Sequence, residues 1–298
     1  MTDIEKLSQF SEQDINRVVN KFWKEVASSL ESVERPQLDI VGGQPGAGKS
    51  DTIKNLKNDF NKNCLFLNYD NFRKDHPNAS AIYTLDDKDE GLYSHFTNKF
   101  MKQVGDKVLK RAFEAGYNVI LEKTLKSDKV KEYIDLALKK GYEVNLYVVT
   151  CDRDLSMSAV EYRFRTERNQ YDRNPKKNPP PRKIPREFSD LCCEKLGDTV
   201  QKLSDTYGDK IKNLRIICRD KFFEQDVVFD KSLGHDTTKI KETIDCILVG
   251  KRRKLSDMEK AQISVMKKIS KIHPFKASSG KEKEIDREKI DDGRSFGD

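Results

Sequence analysis

Between residues 12 and 30, apolar side chains at Ile15, Val18, Val19, Phe22, Trp23, Val26 and Leu30 recur at a helical period, so the chain opens with an amphipathic helix. The pattern then changes. Leu38-Asp39-Ile40-Val41, Cys64-Leu65-Phe66-Leu67, Tyr117-Asn118-Val119-Ile120-Leu121-Glu122 and Val144-Asn145-Leu146-Tyr147-Val148-Val149 are short apolar runs. Helix-competent stretches follow them at 51–56, 96–115, 128–140 and 154–169, with Gly116 and Gly141 as stops. Strands alternating with helices predict right-handed crossovers and an α/β fold, a parallel sheet flanked by helices. Ile216-Ile217-Cys218 and Val227-Val228-Phe229 read as a later strand pair, and Met258, Val265, Ile269 and Ile272 set a last helix over 256–272. Asn174 to Pro185 holds five prolines and several cations; proline removes donors and fixes φ, so this segment is an irregular linker or lid. The polar, charged stretch 274–298 reads as disordered. The expected division is a helical N-terminal extension (1–35), a central domain (36–250) and a C-terminal helix with a charged tail (251–298).

Charged residues make up 36% of the chain and the mean hydropathy is −0.80. No apolar run reaches the roughly eighteen residues of a membrane span, and Met1-Thr2-Asp3-Ile4-Glu5-Lys6 lacks the layout of a signal peptide. The expected location is the cytoplasm. Six cysteines form no CxxC pair and have no paired histidine spacing, which points to reduced thiols and away from zinc or disulfides. The net charge is +7, but the basic residues are interleaved with acids. That is the pattern of solvated helices, so nucleic acid is not the expected partner; a small anionic substrate would be met by a local basic pocket.

One segment narrows the function sharply. Gly43-Gln44-Pro45-Gly46-Ala47-Gly48-Lys49-Ser50 is a complete G-x-x-x-x-G-K-[ST] phosphate loop, set between a predicted strand and a predicted helix. Its glycines let successive N–H groups converge on phosphate oxygens, and the following helix adds its positive end. Lys49 is placed to reach the β- and γ-phosphates of a bound nucleoside triphosphate and Ser50 to hold Mg²⁺. The fold class is therefore that of the phosphate-loop NTPases and kinases. The sequence lacks Asn-Lys-x-Asp, the guanine reader of GTPases, and lacks the His-Arg-Asp and Asp-Phe-Gly motifs of protein kinases.

Asp70 lies 21 residues after Lys49, at the tip of the next strand. Such an acid either binds Mg²⁺ through water or serves as general base toward an acceptor hydroxyl. Glu122 ends the third strand. Arg163, on helix 154–169, and Arg182, in the proline-rich loop, are candidates for neutralising the moving phosphate. His76, before Pro77, reads as a residue that orders its loop.

Gly42 to Ser50, Asp70-Asn71-Phe72-Arg73 leading to His76-Pro77, the stretch Gly116 to Thr124, and Pro181-Arg182 before a helix together resemble the zeta-toxin family. The likeness runs from about residue 10 to about residue 220. The family consists of ATP-dependent kinases of bacterial toxin–antitoxin systems that phosphorylate the 3′-hydroxyl of the sugar in UDP-N-acetylglucosamine. The resemblance implies Lys49 and Ser50 for ATP and Mg²⁺, Asp70 as general base, and Arg163 and Arg182 on the transferring phosphate, with Arg165 as the alternative to Arg163. It implies Asp106, Glu122 and Thr124 as contacts to the sugar nucleotide. The family carries glutamate where Asp106 stands and glycine where Lys123 stands. It also implies a small helical antitoxin, with helix 12–30 as the contact. Three other readings stay open from the residues alone: a kinase of another nucleotide or metabolite, a non-catalytic ATP-dependent interaction protein, and, ranked last, a polynucleotide kinase.

Overall fold

The computed structural model describes residues 2–86, 91–222, 224–261 and 264–265. The chain begins with α1 (Asp3–Leu7) and α2 (Glu12–Glu25). Ser11 and Asp14 satisfy each other's backbone N–H groups in a capping box that starts α2. The helix stops short of the apolar pattern, which continues as a 3₁₀ turn over Ala27–Ser29. There follow β1 (Gln37–Gly42), α3 (Lys49–Asp59) and β2 (Leu65–Leu67), then a 3₁₀ stretch (Tyr69–Asp75), α4 (Ala79–Thr84), α5 (Leu92–Phe96), α6 (Asn98–Glu114) and β3 (Val119–Lys123). The second half runs through α7 (Val130–Lys139), β4 (Glu143–Thr150), α8 (Arg153–Arg173), α9 (Arg186–Tyr207), β5 (Ile211–Arg219), β6 (Gln225–Asp230) and α10 (Ile240–Leu248).

The helix predicted from residue 96 instead starts at Asn98, and Thr97 separates it from α5. Thr97 is fully buried there and its hydroxyl accepts from Arg73. The segment between α8 and α9 has no regular structure, as its prolines require.

The six strands pair in the order β2-β3-β1-β4-β5-β6. Five are parallel, and β6 returns antiparallel along β5, so the predicted later strand pair is a hairpin appended to a parallel sheet. Alternation along each strand divides the core. Leu38, Ile40, Leu65, Leu121, Leu146 and Ile216 face the larger cluster, with α2, α6, α7, α9 and α10. Val41, Ile120, Val149 and Ile217 face the smaller one, with Ile53 and Leu56 of α3.

α2 sends Ile15, Val18 and Val19 into the main core against α6, and Trp23 stacks on Tyr117 at 5.7 Å between ring centroids. Its apolar stripe is spent within the domain. A polar file crosses the sheet interior: Asn213 donates to Asn145, and Asn145 donates to Asp39, each at 2.8 Å. Burial pushes the Asp39 carboxyl up to about 7, against the lowering effect of the Asn145 bond. The chain is helical again over 257–261, where Glu259 and Arg253 form a buried ion pair at 2.6 Å. Most of the predicted helix 256–272 and all of the charged tail lie outside the described residues. Among the described residues no helix is long and apolar enough to cross a membrane.

β1 lies between β3 and β4, and its chain leaves over β3 to reach β2. The carboxyl ends of β1, β2 and β3 therefore open on one crevice, the usual ligand position of such sheets.

Candidate active site

Val41 and Gly42 end β1 in the sheet interior, and the chain turns at once into the loop 43–48. Gly43 has φ +144°, and a Cβ there would lie 1.8 Å from the Val149 carbonyl oxygen of β4. Only glycine lets the loop pass that close to the strand. Gly48, at φ +91°, occupies the N-cap of α3 and supplies no side-chain cap. The first N–H groups of the helix are thereby left for an anion. Gln44 ties the loop to β4 through Nε2 to the Cys151 carbonyl at 2.8 Å. This backbone cradle fits a triphosphate. Ser50, in the first turn and exposed at the rim, offers one hard oxygen, which suits Mg²⁺ that takes its other ligands from phosphates and water.

Lys49 is 8% exposed. Its Nζ donates to the carbonyls of Gly43 and Gln44 at 3.1 Å each and lies 3.6 Å from Glu122 Oε1. Burial draws its ammonium below the usual lysine range; Glu122 counters this, and Arg163 and Arg182 reinforce it. Glu122, Arg163 and Arg182, from three other segments, thus act electrostatically on Lys49. Glu122 is fixed on its other oxygen by Asn68 Nδ2 at 2.8 Å.

Asp70 sits just past the end of β2, in the 3₁₀ stretch, where the Asn68 side chain caps its N–H at 3.0 Å. Its two oxygens are gripped separately. Arg73 Nε donates to Oδ1 at 2.8 Å, and Arg182 pairs with Oδ2 from the proline-rich loop. Arg73 is 7% exposed and also donates to the Ser94 carbonyl at 2.6 Å and to Thr97 Oγ1 at 3.0 Å. Burial lowers both Arg73 and Arg182 to about 10. A cleft of about 290 Å³ opens between this stretch, α8 and the proline-rich loop, with Asp70, Arg73, Arg163, Gln170, Asn178 and Arg182 on its walls. Arg163 lines the cleft, whereas Arg165 is 79% exposed and faces Glu161 at 3.9 Å.

The remaining predicted residues cluster less tightly. Burial pushes the Cys192 thiol up, and Thr124 beside it counters this. Asp106 Oδ1 accepts the hydroxyls of Tyr69 and Tyr133 at 2.9 and 3.0 Å. His76 has an ordering place: its Nδ1 accepts from the Asn78 N–H at 3.1 Å and its Nε2 lies 3.3 Å from the Ser8 carbonyl.

Two functional side chains carry no sequence signal. Arg219, at the end of β5 and 3% exposed, donates to the carbonyls of Ala47 at 3.1 Å and Gly46 at 2.9 Å. Gln225, which opens β6, donates to the Gly48 carbonyl at 2.7 Å and accepts from Thr52 Oγ1 at 2.9 Å. Three successive loop carbonyls are thus held by Arg219 and Gln225, while the Ala47 N–H donates to the Gln44 carbonyl at 3.2 Å. Arg73 was visible in the run after Asp70, and its spacing of three residues is the signal that marks it as a partner.

A family model described as zeta toxin matches residues 21–232. The chain is 24% identical to Toxin PezT of Streptococcus pneumoniae over 88% of its own length and 96% of that protein. It is 25% identical to Toxin zeta of Streptococcus pyogenes over 66% of each chain. The solved structure of the PezAT chromosomal toxin–antitoxin system superposes with a TM-score of 0.65 at 22% identity, over 88% of this chain and 96% of that one. The AvrRxo1-ORF1:-ORF2 structure with ATP superposes at 0.54 and 14% identity, over 86% and 84%.

Proposed function

The chain belongs to the zeta-toxin family, and on that premise we propose that it is an ATP-dependent kinase, the toxin of a toxin–antitoxin pair, that phosphorylates the 3′-hydroxyl of UDP-N-acetylglucosamine. The observation that carries the reading is the shared cleft: Asp70, Arg163 and Arg182 line one cavity, and both arginines act electrostatically on Lys49 of the phosphate loop. Ser50 would hold Mg²⁺, which when bound would supply charge neutralisation to the triphosphate. Lys49 exchanges its two carbonyl partners for phosphate oxygens. Arg73 keeps Asp70 aimed, and Asp70 accepts the proton of the attacking hydroxyl. Arg182, paired with Asp70 before ATP arrives, is shared with the transferring phosphate, as Arg163 is, and the developing charge is met by positioned cations. Glu122, Thr124 and Asp106 stand on the acceptor side.

ATP and UDP-N-acetylglucosamine share the cytoplasm, which is where the reaction would run. A small helical antitoxin is the expected partner at the N-terminal helix; since the apolar stripe of α2 is buried, it would meet the polar face carrying Arg17, Lys21 and Lys24. Incubation with ATP, Mg²⁺ and a panel of sugar nucleotides should add one phosphate to UDP-N-acetylglucosamine. ATP binding with no phosphate gained by any metabolite sinks the reading.

A further inference from the structure

Glu122 and Lys123 are consecutive at the tip of β3, so their side chains leave opposite faces of the sheet. Glu122 turns to Lys49. Lys123 turns to a second cluster, built on Tyr69, the residue before Asp70 in the chain, and on Tyr133. Its Nζ lies 3.2 Å from the centroid of the Tyr69 ring and 4.6 Å from that of Tyr133. The Tyr69 ring cannot retreat, because the α6 backbone at Gly105 is packed on it: a Cβ there would lie 2.6 Å from the ring.

Two aromatic faces hold an ammonium by their quadrupoles and take none of its three N–H donors. They position the charge and do not neutralise it. The nearby carboxylate is Asp106, whose Oδ1 already accepts two tyrosine hydroxyls, and Lys102 adds a second cation to the same surroundings. The balance shows in the amine itself: burial draws Lys123 down to about 7, Asp106 holds it up, and Lys102 presses it further down. The cluster is short of negative charge around Asp106, which the phosphotransfer reading puts on the acceptor side.

We propose that Lys123 selects acceptors that carry a phosphate of their own, its ammonium pairing with that phosphate while Asp70 takes the proton of the acceptor hydroxyl. The inference rests on the phosphotransfer reading and names what the acceptor must bring besides a hydroxyl.

The test uses one sugar with increasing phosphate: N-acetylglucosamine, N-acetylglucosamine 1-phosphate and UDP-N-acetylglucosamine. Binding is measured by calorimetry on full-length Asp70→Asn protein, with Lys123 intact, as Lys123→Met and as Lys123→Arg, and transfer is measured with Asp70 present. Lys123 should favour the phosphorylated ligands over the free sugar by about tenfold or more, the scale of a charge-assisted contact. Lys123→Met should collapse that spread, and Lys123→Arg should keep most of it. A spread that survives Lys123→Met, or equal binding of all three by the intact cluster, overturns the proposal. Should Lys123→Met fail to fold, the spread in the Lys123→Arg protein at pH 6 and pH 9 decides: arginine stays charged at both, so its spread must hold while that of lysine falls at pH 9 as the amine loses its proton. Phosphate-dependent binding with no transfer would reject the kinase reading and leave Lys123 standing; transfer indifferent to acceptor phosphate would do the reverse.

Discussion

Arg73 grips Asp70 through a single bond, Nε to Oδ1 at 2.8 Å, while the rest of its guanidinium is anchored in the α5–α6 junction at Ser94 and Thr97. The orientation of the proposed base is thus set by an arginine that is itself immobile. Arg73→Met should lower kcat by about tenfold to a hundredfold through misplacement of Asp70 and leave the KM for ATP close to its starting value. A loss of ATP affinity as large as the loss of kcat would show that Arg73 shapes the nucleotide site instead.

Removal of the base itself should be more severe. Asp70→Asn keeps the shape and the Asn68 cap but cannot take a proton. Transfer should drop by about a hundredfold to ten-thousandfold, the usual contribution of a general base, with ATP binding retained in calorimetry. Activity within about tenfold of the parent would remove Asp70 from the role of base.

The phosphate loop is held from behind by Arg219, through the carbonyls of Gly46 and Ala47. Loss of two charge-assisted bonds to a buried backbone should weaken ATP binding by about tenfold or more. Arg219→Ala should raise the KM for ATP, Arg219→Lys should recover part of it, and the KM for the acceptor should stay put. A uniform loss of folded protein in both variants, without a change in ATP affinity of what remains, would reduce Arg219 to a purely structural group.

Asp39 offers a pH prediction with a definite sign. Its folded carboxyl sits at about 7 against an ordinary 3.8, so between those values the folded chain binds a proton that the unfolded chain has released. Stability must then fall as pH rises from about 4 to about 7 and level off above. The gap corresponds to at most about 4 kcal/mol, at about 1.4 kcal/mol per tenfold in proton affinity. Asp39→Asn keeps an oxygen for Asn145 and removes the titration. The difference in melting temperature between variant and parent should therefore widen from pH 5 to pH 8, and a constant difference would refute the assignment.

The N-terminal boundary near residue 35 can be tested by deletion. Ile15, Val18 and Val19 belong to the main core, so a chain starting at residue 31 should lose its cooperative thermal transition. A truncated protein that melts like the parent would mark α2 as a detachable extension.

The alternating strand and helix pattern was enough to give the sheet, because the buried parallel strands, Asp39, Asn145 and Asn213 apart, are largely apolar on both faces and say so in one short run. The phosphate loop was equally plain, since its glycines answer to a local steric demand at Gly43 and Gly48. Asp70 and Arg182 were legible as residue types at the ends of predicted elements, but their pairing was not: 112 residues separate them, and no local rule links a proline-rich loop to a strand tip. Asp106 was assigned by resemblance to an acceptor contact, and nothing in its neighbours announced that Tyr69 and Tyr133 would claim its carboxylate. Arg219 was hidden for the same reason as the Asp70–Arg182 pair, since it lies 172 residues from the carbonyl it supports.

That last distance bears on the order in which the protein is made. The G-x-x-x-x-G-K-S motif leaves the ribosome early, while Arg219 and Gln225 emerge near the end of the folded domain. A nascent or prematurely released chain carries the full nucleotide-binding sequence without the two side chains that hold its carbonyls. The phosphate loop thus gains its backing only when synthesis of the domain is nearly complete, which bears on the proposed toxin role by delaying a working nucleotide site.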